Sequence, residues 1–341
     1  MSETRNFDEA TRTRITYLSA NRTRLTCDGD THISDPATTP HATATRMARD
    51  GSYFHGRPIS CSDLLWEMDA ADVDVSLCWQ NPAVTEYPGE AGANYAALWA
   101  ANRYIANSAA EHPTRIIAAG WTDPKALGVD GAIALARACV RELRFPVVKM
   151  NPAQNEYPID SAIAMQVTEA IVDEGAIPAF HFGADTEFTP AAGLERLARH
   201  IAPHPVIGVH MGGGGASYLG AEQLYADARA LGLRCPNIFY VFSAKRDTHM
   251  ESDLIAYQIA GEPYCRNIAC GSDAPYGRQT FNYGGFRTMF ASLQNGENHP
   301  DARVRTNPGL FSDTAVRAYL GSNLIDLVLA AYTRIGCSAK G

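Results

Sequence analysis

The sequence predicts an α/β protein built as a single (β/α)8 TIM barrel. Three observations carry this. Near-continuous apolar runs recur eight times along the 341 residues, stretches with helical spacing separate them, and four of the runs end on ionisable side chains. Apolar runs without alternation mark parallel strands covered on both faces, and eight such strand and helix units point to a closed barrel rather than an open sheet.

Residues 1–24 are rich in Thr, Arg and Asn, with an apolar patch only at Ile15–Leu18, and are expected to form an N-terminal extension. Residues 25–341 make up the barrel domain. Its first strand spans Leu25–Ile33. The stretch from Ser34 to Ile59, with prolines at 36, 40 and 58, is a long loop after that strand. Loops of this length in compact domains are usually functional or disordered, and above a barrel mouth this one is expected to be a lid or substrate wall.

From Cys61 the chain alternates regularly. Helix Ser62–Ala71 precedes strand Val73–Trp79, helix Asn94–His112 precedes strand Arg115–Trp121, and helix Lys125–Leu143 precedes strand Val147–Asn151. Helix Asp160–Glu174 leads to a strand ending in His181, and Ala192–Ile201 to one ending in His210. Gly215–Gly232 leads to Ile238–Ser243, and Asp247–Gly261 to a strand ending at Asp273. A last periodic helix, Asp313–Tyr332, is expected to pack outside.

Composition narrows the function class. Charged residues make up 19% of the chain, hydrophobic ones 46%, and the formal net charge is -8. This suits a soluble globular enzyme and offers no basic footprint for nucleic acid. No apolar run approaches the roughly 18 residues of a membrane span, and the polar start Met1–Asn6 lacks a signal peptide's apolar segment, so the expected location is cytoplasmic. The eight cysteines form no Cys-x-x-Cys pair and are expected to be small buried hydrophobes.

The four ionisable endings are Asp30-Thr31-His32, His181-Phe182-Gly183, His210-Met211-Gly212-Gly213 and Gly271-Ser272-Asp273-Ala274-Pro275. An α/β barrel keeps its catalytic groups at the carboxyl ends of its strands. Alternate strand residues share a face, so Asp30 and His32 can face one ion together, and Asp30 is preferred to Asp28 because it lies closer to His32. Neutral imidazoles with carboxylates suit Zn²⁺ or Mn²⁺. Such an ion polarises a bound oxygen or makes bound water nucleophilic. Gly212–Gly215 is read as room beside His210 rather than a phosphate cradle, because its spacing fits neither dinucleotide nor P-loop patterns. His41, His55, His249 and His299 are expected in loops or on the surface, with His55 the foremost exception.

These motifs, together with Leu320-Gly321-x-Asn323, resemble those of the amidohydrolase superfamily, in the branch related to aminocarboxymuconate-semialdehyde decarboxylase. The resemblance runs from the first strand to the C-terminal helix. It implies one divalent ion held by Asp30, His32, His181 and Asp273, with His210 assisting the chemistry beside it. Many members carry histidine where Asp30 stands, and the carboxylate there leans toward decarboxylation. Lys149 falls where binuclear amidohydrolases place a carboxylated lysine; the branch is usually mononuclear, so Lys149 is read as a hydrogen-bonding or substrate-facing group.

The leading expectation is non-oxidative decarboxylation of a small unsaturated or aromatic carboxylic acid, with His210 or an acid linked to it protonating the carbon. The alternative is hydrolysis of an amide or lactone, with Asp273 or His210 taking a proton from activated water. A non-catalytic binding barrel is a remote third reading. The substrate-binding candidates at the mouth are Arg46, Arg57, Trp79, Asn151, Arg246, Tyr276 and Arg278, with Trp121 and Lys245 beside them; arginines there would pair with a substrate carboxylate. The resemblance also implies a homodimer.

Overall fold

The computed structural model describes residues 7–39, 58–85, 87, 89–184, 187–214 and 220–337. Its strands are β1 (Cys27–Ile33), β2 (Val75–Gln80), β3 (Ile116–Ala118), β4 (Gly120–Trp121), β5 (Val147–Met150), β6 (Ile177–His181), β7 (Val206–Val209), β8 (Ile238–Phe242) and β9 (Ile268–Cys270). All pair in parallel, β1 to β3 in one ladder and β4 to β9 in another. β3 and β4 are halves of one strand broken at Ala119, whose N–H donates to the Cys78 carbonyl at 2.9 Å and keeps the broken strand against β2. Eight barrel positions are thereby filled. The last strand returns to the first: Asp273 N donates to Asp30 O at 2.9 Å, His32 N donates to Ala274 O at 2.6 Å, and Thr31 bridges Ala274.

The protein is a TIM barrel. Every strand residue is buried except His181, which is half-buried, so the strands read as apolar runs rather than alternating ones. The helices that cover them start where local chemistry stops the preceding loop. Ser60 caps α2 (Cys61–Ala70), with Asp63 bonding back to the Ser60 N–H. Asp123 caps α4 (Pro124–Arg141), where Pro124 occupies the first turn. α7 (Ala191–Ile201) buries Leu194, Leu197, Ala198 and Ile201 at helical spacing.

Two of the segments that differ from the sequence reading lie toward the ends of the chain. Residues 9–21 form a helix, α1 (Glu9–Asn21), whose buried positions are Thr11, Arg14 and Leu18. The side chain of Arg14 crosses to the barrel, donating from Nε to the Ile116 carbonyl at 2.8 Å and from Nη2 to the Ala109 carbonyl. With polar Thr11 and Arg14 at two of the three buried positions, no apolar stripe announces this helix. The predicted C-terminal helix is divided into α12 (Asp313–Arg317), a π-helical turn over Ala318–Ser322, and α13 (Asn323–Cys337). Asn323 ties it to the barrel by donating to the Ile268 carbonyl at 2.9 Å and the Cys265 carbonyl at 3.0 Å.

All eight cysteines are free; six are buried, Cys265 is half-buried and Cys337 is exposed. His299 lies in a loop, as expected, although only 2% of its surface is exposed, whereas His249, expected in a loop or on the surface, falls inside the helix Asp247–Ala260. No helix among the described residues is long and apolar enough to cross a membrane.

Candidate metal centre

β1 supplies two of the groups from one face. Its register against β2 shifts between Asp28 and Thr31. His32 Nδ1 donates to the Gln80 carbonyl at 2.9 Å, which turns Nε2 toward the carboxylates. That Nε2 is 3.4 Å from Asp30 Oδ1 and 3.5 Å from Asp273 Oδ1. Asp273 stands just past β9 with φ 59°, and His210 just past β7 with φ 77°. Left-handed backbone at non-glycine residues costs about 1 kcal/mol or more, and Asp and His tolerate it better than most. Here it turns both side chains into the mouth.

Asp30, His32 and Asp273 each offer a ligand atom, and these atoms lie within 4.8 Å of one another. One oriented imidazole and two carboxylates form a donor set that fits a divalent zinc or manganese ion. Binding an ion there must displace any proton on the ligands.

The centre lies in a cavity of about 800 Å³ at the carboxyl ends of the strands. Lys149, Trp121, Asn151, His181, His210, Tyr276 and Arg278 line it along with His32 and Asp273. His181 is thus beside the converging trio and outside it; its ring packs against that of His210 with 4.7 Å between centroids at 70°. A Cβ on Gly183 would come within 2.5 Å of His181 Nε2, which explains the glycine two residues after that histidine.

Of the other substrate-binding candidates, Trp79 lies beneath the cavity, and its indole N–H donates to Asp30 Oδ1 at 2.9 Å. Arg246 is not among the lining residues; its guanidinium pairs with Glu222 and contacts His249. Lys245 lines the wall, but its Nζ is held by Asp253 and the Met211 carbonyl. Arg46, Arg57 and His55 lie outside the described residues. Tyr276 donates from its hydroxyl to Asn81 Oδ1 at 2.9 Å and sets its ring edge-to-face on His32.

The electrostatics divide the site. Lys149 is almost fully buried, 3.5 Å from Asp30 Oδ1, with Nζ 4.2 Å from the centre of the Trp79 ring. Burial pushes its ammonium below the ordinary lysine range, against the pull of Asp30 and Asp273. Burial pushes the Asp30 carboxyl up, but the Lys149 ammonium, the hydrogen bond with His32 and the His210 imidazole together hold it well below the usual range. Asp273 is pushed up by burial and by the charge of Asp30. Burial, reinforced by His181, holds His210 well below the ordinary histidine range.

One contributor escaped the sequence reading. Ser243, the residue after β8, donates to Asp30 Oδ2 at 2.7 Å and lies 2.7 Å from His210 Nδ1. Its place at a strand end is the same signal that marked the other groups.

A family model described as amidohydrolase matches residues 68–323. The chain belongs to the amidohydrolase family. The match begins after β1, so Asp30 and His32 join this amidohydrolase's site through the fold rather than through the matched segment. Three solved structures share the architecture. An uncharacterised TIM-barrel protein from Bordetella bronchiseptica is 15% identical, with 90% of this chain and 99% of that one covered and a TM-score of 0.64. A 2,6-dihydroxybenzoate decarboxylase from Rhizobium is 14% identical over 89% and 98%, with a TM-score of 0.61. A 5-carboxyvanillate decarboxylase from Novosphingobium aromaticivorans, complexed with manganese and a nitrobenzoic acid, is 14% identical over 91% and 97%, with a TM-score of 0.60. No curated protein sequence matches the chain.

Proposed function

We propose that this amidohydrolase is a divalent-metal-dependent, non-oxidative decarboxylase of a small aromatic or unsaturated carboxylic acid. The observation that carries the reading is the convergence of Asp30, His32 and Asp273 within 4.8 Å at the mouth of the barrel. These three would hold zinc or manganese, with His181 as a fourth ligand from the end of β6. A bound ion supplies Lewis-acid polarisation of substrate oxygens. Manganese in a similar decarboxylase structure supports that choice of metal.

The chain's own residues have complementary tasks. Lys149 presents a buried cation beside Asp30 and binds an anionic substrate group. Trp121 and Tyr276 flank a planar ring, and Asn151 and Arg278 contact its polar substituents; Arg46 and Arg57 are candidates for the same task from the long loop. His210, held neutral by burial, accepts a proton from the substrate and returns it to the carbon that loses carbon dioxide. No redox cofactor is required, because the bonding electrons of the departing group remain on that carbon until it is protonated.

The test is a panel of hydroxylated benzoates, including 2,6-dihydroxybenzoate and 5-carboxyvanillate, given to protein loaded with manganese or zinc in ¹⁸O-labelled water. Carbon dioxide released without label in the organic product is the expected result. Label in the organic product would instead establish hydrolysis or hydration through activated water.

A further inference from the structure

Ser243 is fully buried and touches both halves of the site, at 2.7 Å from Asp30 Oδ2 and 2.7 Å from His210 Nδ1. A serine hydroxyl has one proton to donate. The Trp79 indole donates to Asp30 Oδ1 and the Lys149 ammonium stands 3.5 Å from it, so Asp30 meets its neighbours as an acceptor and the Ser243 proton goes to Asp30 Oδ2; two oxygens at that distance with no proton between them would repel. The Ser243 oxygen must then accept from His210, which requires the proton of that imidazole to be on Nδ1. His210 Nε2 has no protein partner among the described residues, and the residue lines the cavity. Gly214, at φ +66°, closes over the ring: a Cβ there would lie 2.9 Å from His210 Cδ2.

We propose that Ser243 is a positioning residue that sets the direction of a hydrogen-bond chain from His210 through Ser243 to Asp30, leaving the His210 Nε2 lone pair turned to the cavity. The inference rests on the reading of Asp30 as a metal ligand and His210 as the proton carrier. It adds that the two are joined by one hydroxyl, which selects the tautomer able to take a substrate proton.

The chain can be reversed by design. The Trp79 indole only donates, and it donates to Asp30 Oδ1. In Asp30→Asn, that contact keeps the amide oxygen on the tryptophan side and places the amide nitrogen against Ser243. The nitrogen donates to Ser243, Ser243 donates to His210 Nδ1, and the imidazole proton moves to Nε2.

The experiment is long-range ¹H–¹⁵N correlation of the histidine rings at pH 8, on full-length chelator-treated protein labelled with ¹⁵N-histidine. The His210 signals are assigned by their loss in His210→Asn, and circular dichroism checks the fold of every variant. The expected result is a single Nδ1–H tautomer in the wild type, a mixture of tautomers in Ser243→Ala, and the Nε2–H pattern in Asp30→Asn. Wild-type protein with the proton on Nε2, or a His210 pattern unmoved by Ser243→Ala, would overturn the proposal. Should Asp30→Asn fail to fold, the wild type and Ser243→Ala still decide it. Neither substrate nor ion enters the measurement, so its failure is distinct from a failure of the decarboxylase reading.

Discussion

Asp28 and Asp30 stand two residues apart on one strand, on either side of its register shift, and are both fully buried, yet they meet opposite surroundings. Asp28 is surrounded by neutral donors. The backbone N–H groups of Asp30 and Ser272 reach its Oδ1 at 3.1 and 2.9 Å, and Gln279 Nε2 reaches its Oδ2 at 2.8 Å. Burial outweighs these bonds and pushes its carboxyl up to about 7. Asp30, one step nearer the mouth, has Lys149, His32 and His210 around it and is held low. Burial alone therefore does not determine a carboxylate's role. Neutral donors make Asp28 a structural junction between β1, β9 and α10 (Gln279–Gln294), whereas the Lys149 ammonium 3.5 Å from Asp30 keeps that carboxylate charged.

The largest expected effect separates the two residues by metal content. Asp30→Ala is expected to lose the bound ion, from about one per chain to less than a tenth by elemental mass spectrometry, while Asp28→Asn retains it. Equal metal in both variants would end the distinction between them. Next comes the cation beside Asp30. Lys149→Met removes a charge partner without opening a large void and is expected to raise KM at least tenfold with the metal retained. Breaking a buried pair leaves an uncompensated charge, softened here by the Trp79 and Ser243 donors that Asp30 keeps, so chelator-treated Lys149→Met is expected to melt below its metal-loaded form. A wild-type KM would remove Lys149 from substrate binding.

The most gradual effect is the pH dependence that Asp28 imposes. Its folded value, about 7, is above the ordinary 3.8, so the native state binds more protons than the unfolded state between those limits. The stability it contributes is fully present below about pH 4 and is lost as pH rises toward 7, by up to about 1 kcal/mol per unit. Asp28→Asn is expected to flatten that slope in urea unfolding measured from pH 4 to 7. An unchanged slope would show that the proton uptake lies elsewhere.

The comparison also shows how far residue types alone could lead. From the sequence, Asp28 and Asp30 differed only in distance from His32, and that spacing favoured Asp30. Trp79 was legible as a strand-end aromatic; its role as a donor beneath Asp30 depends on which way the indole turns, and rotamers are chosen by packing. Arg246 resembled a carboxylate anchor until Glu222, across the loop from it, supplied a nearer partner. Ser243 shares the strand-end position of the other groups but has no ionisable side chain to single it out, and the Gln80 carbonyl carries no signature at all, because a hydroxyl or peptide oxygen becomes part of a site only through what it meets. The helix over residues 9–21 was hidden for a related reason: Arg14 is buried by spending its donors on the carbonyls of Ile116 and Ala109, contacts about a hundred residues distant.

The sequence by itself determined the barrel, its order of strands and helices, and the ionisable groups at the strand tips, because periodicity and punctuation are local properties of a chain. Only the tertiary structure decided which tips converge and how each group is charged and oriented. Those outcomes depend on distances between strands remote in sequence, on burial, and on hydrogen-bond partners that folding alone brings within 3 Å.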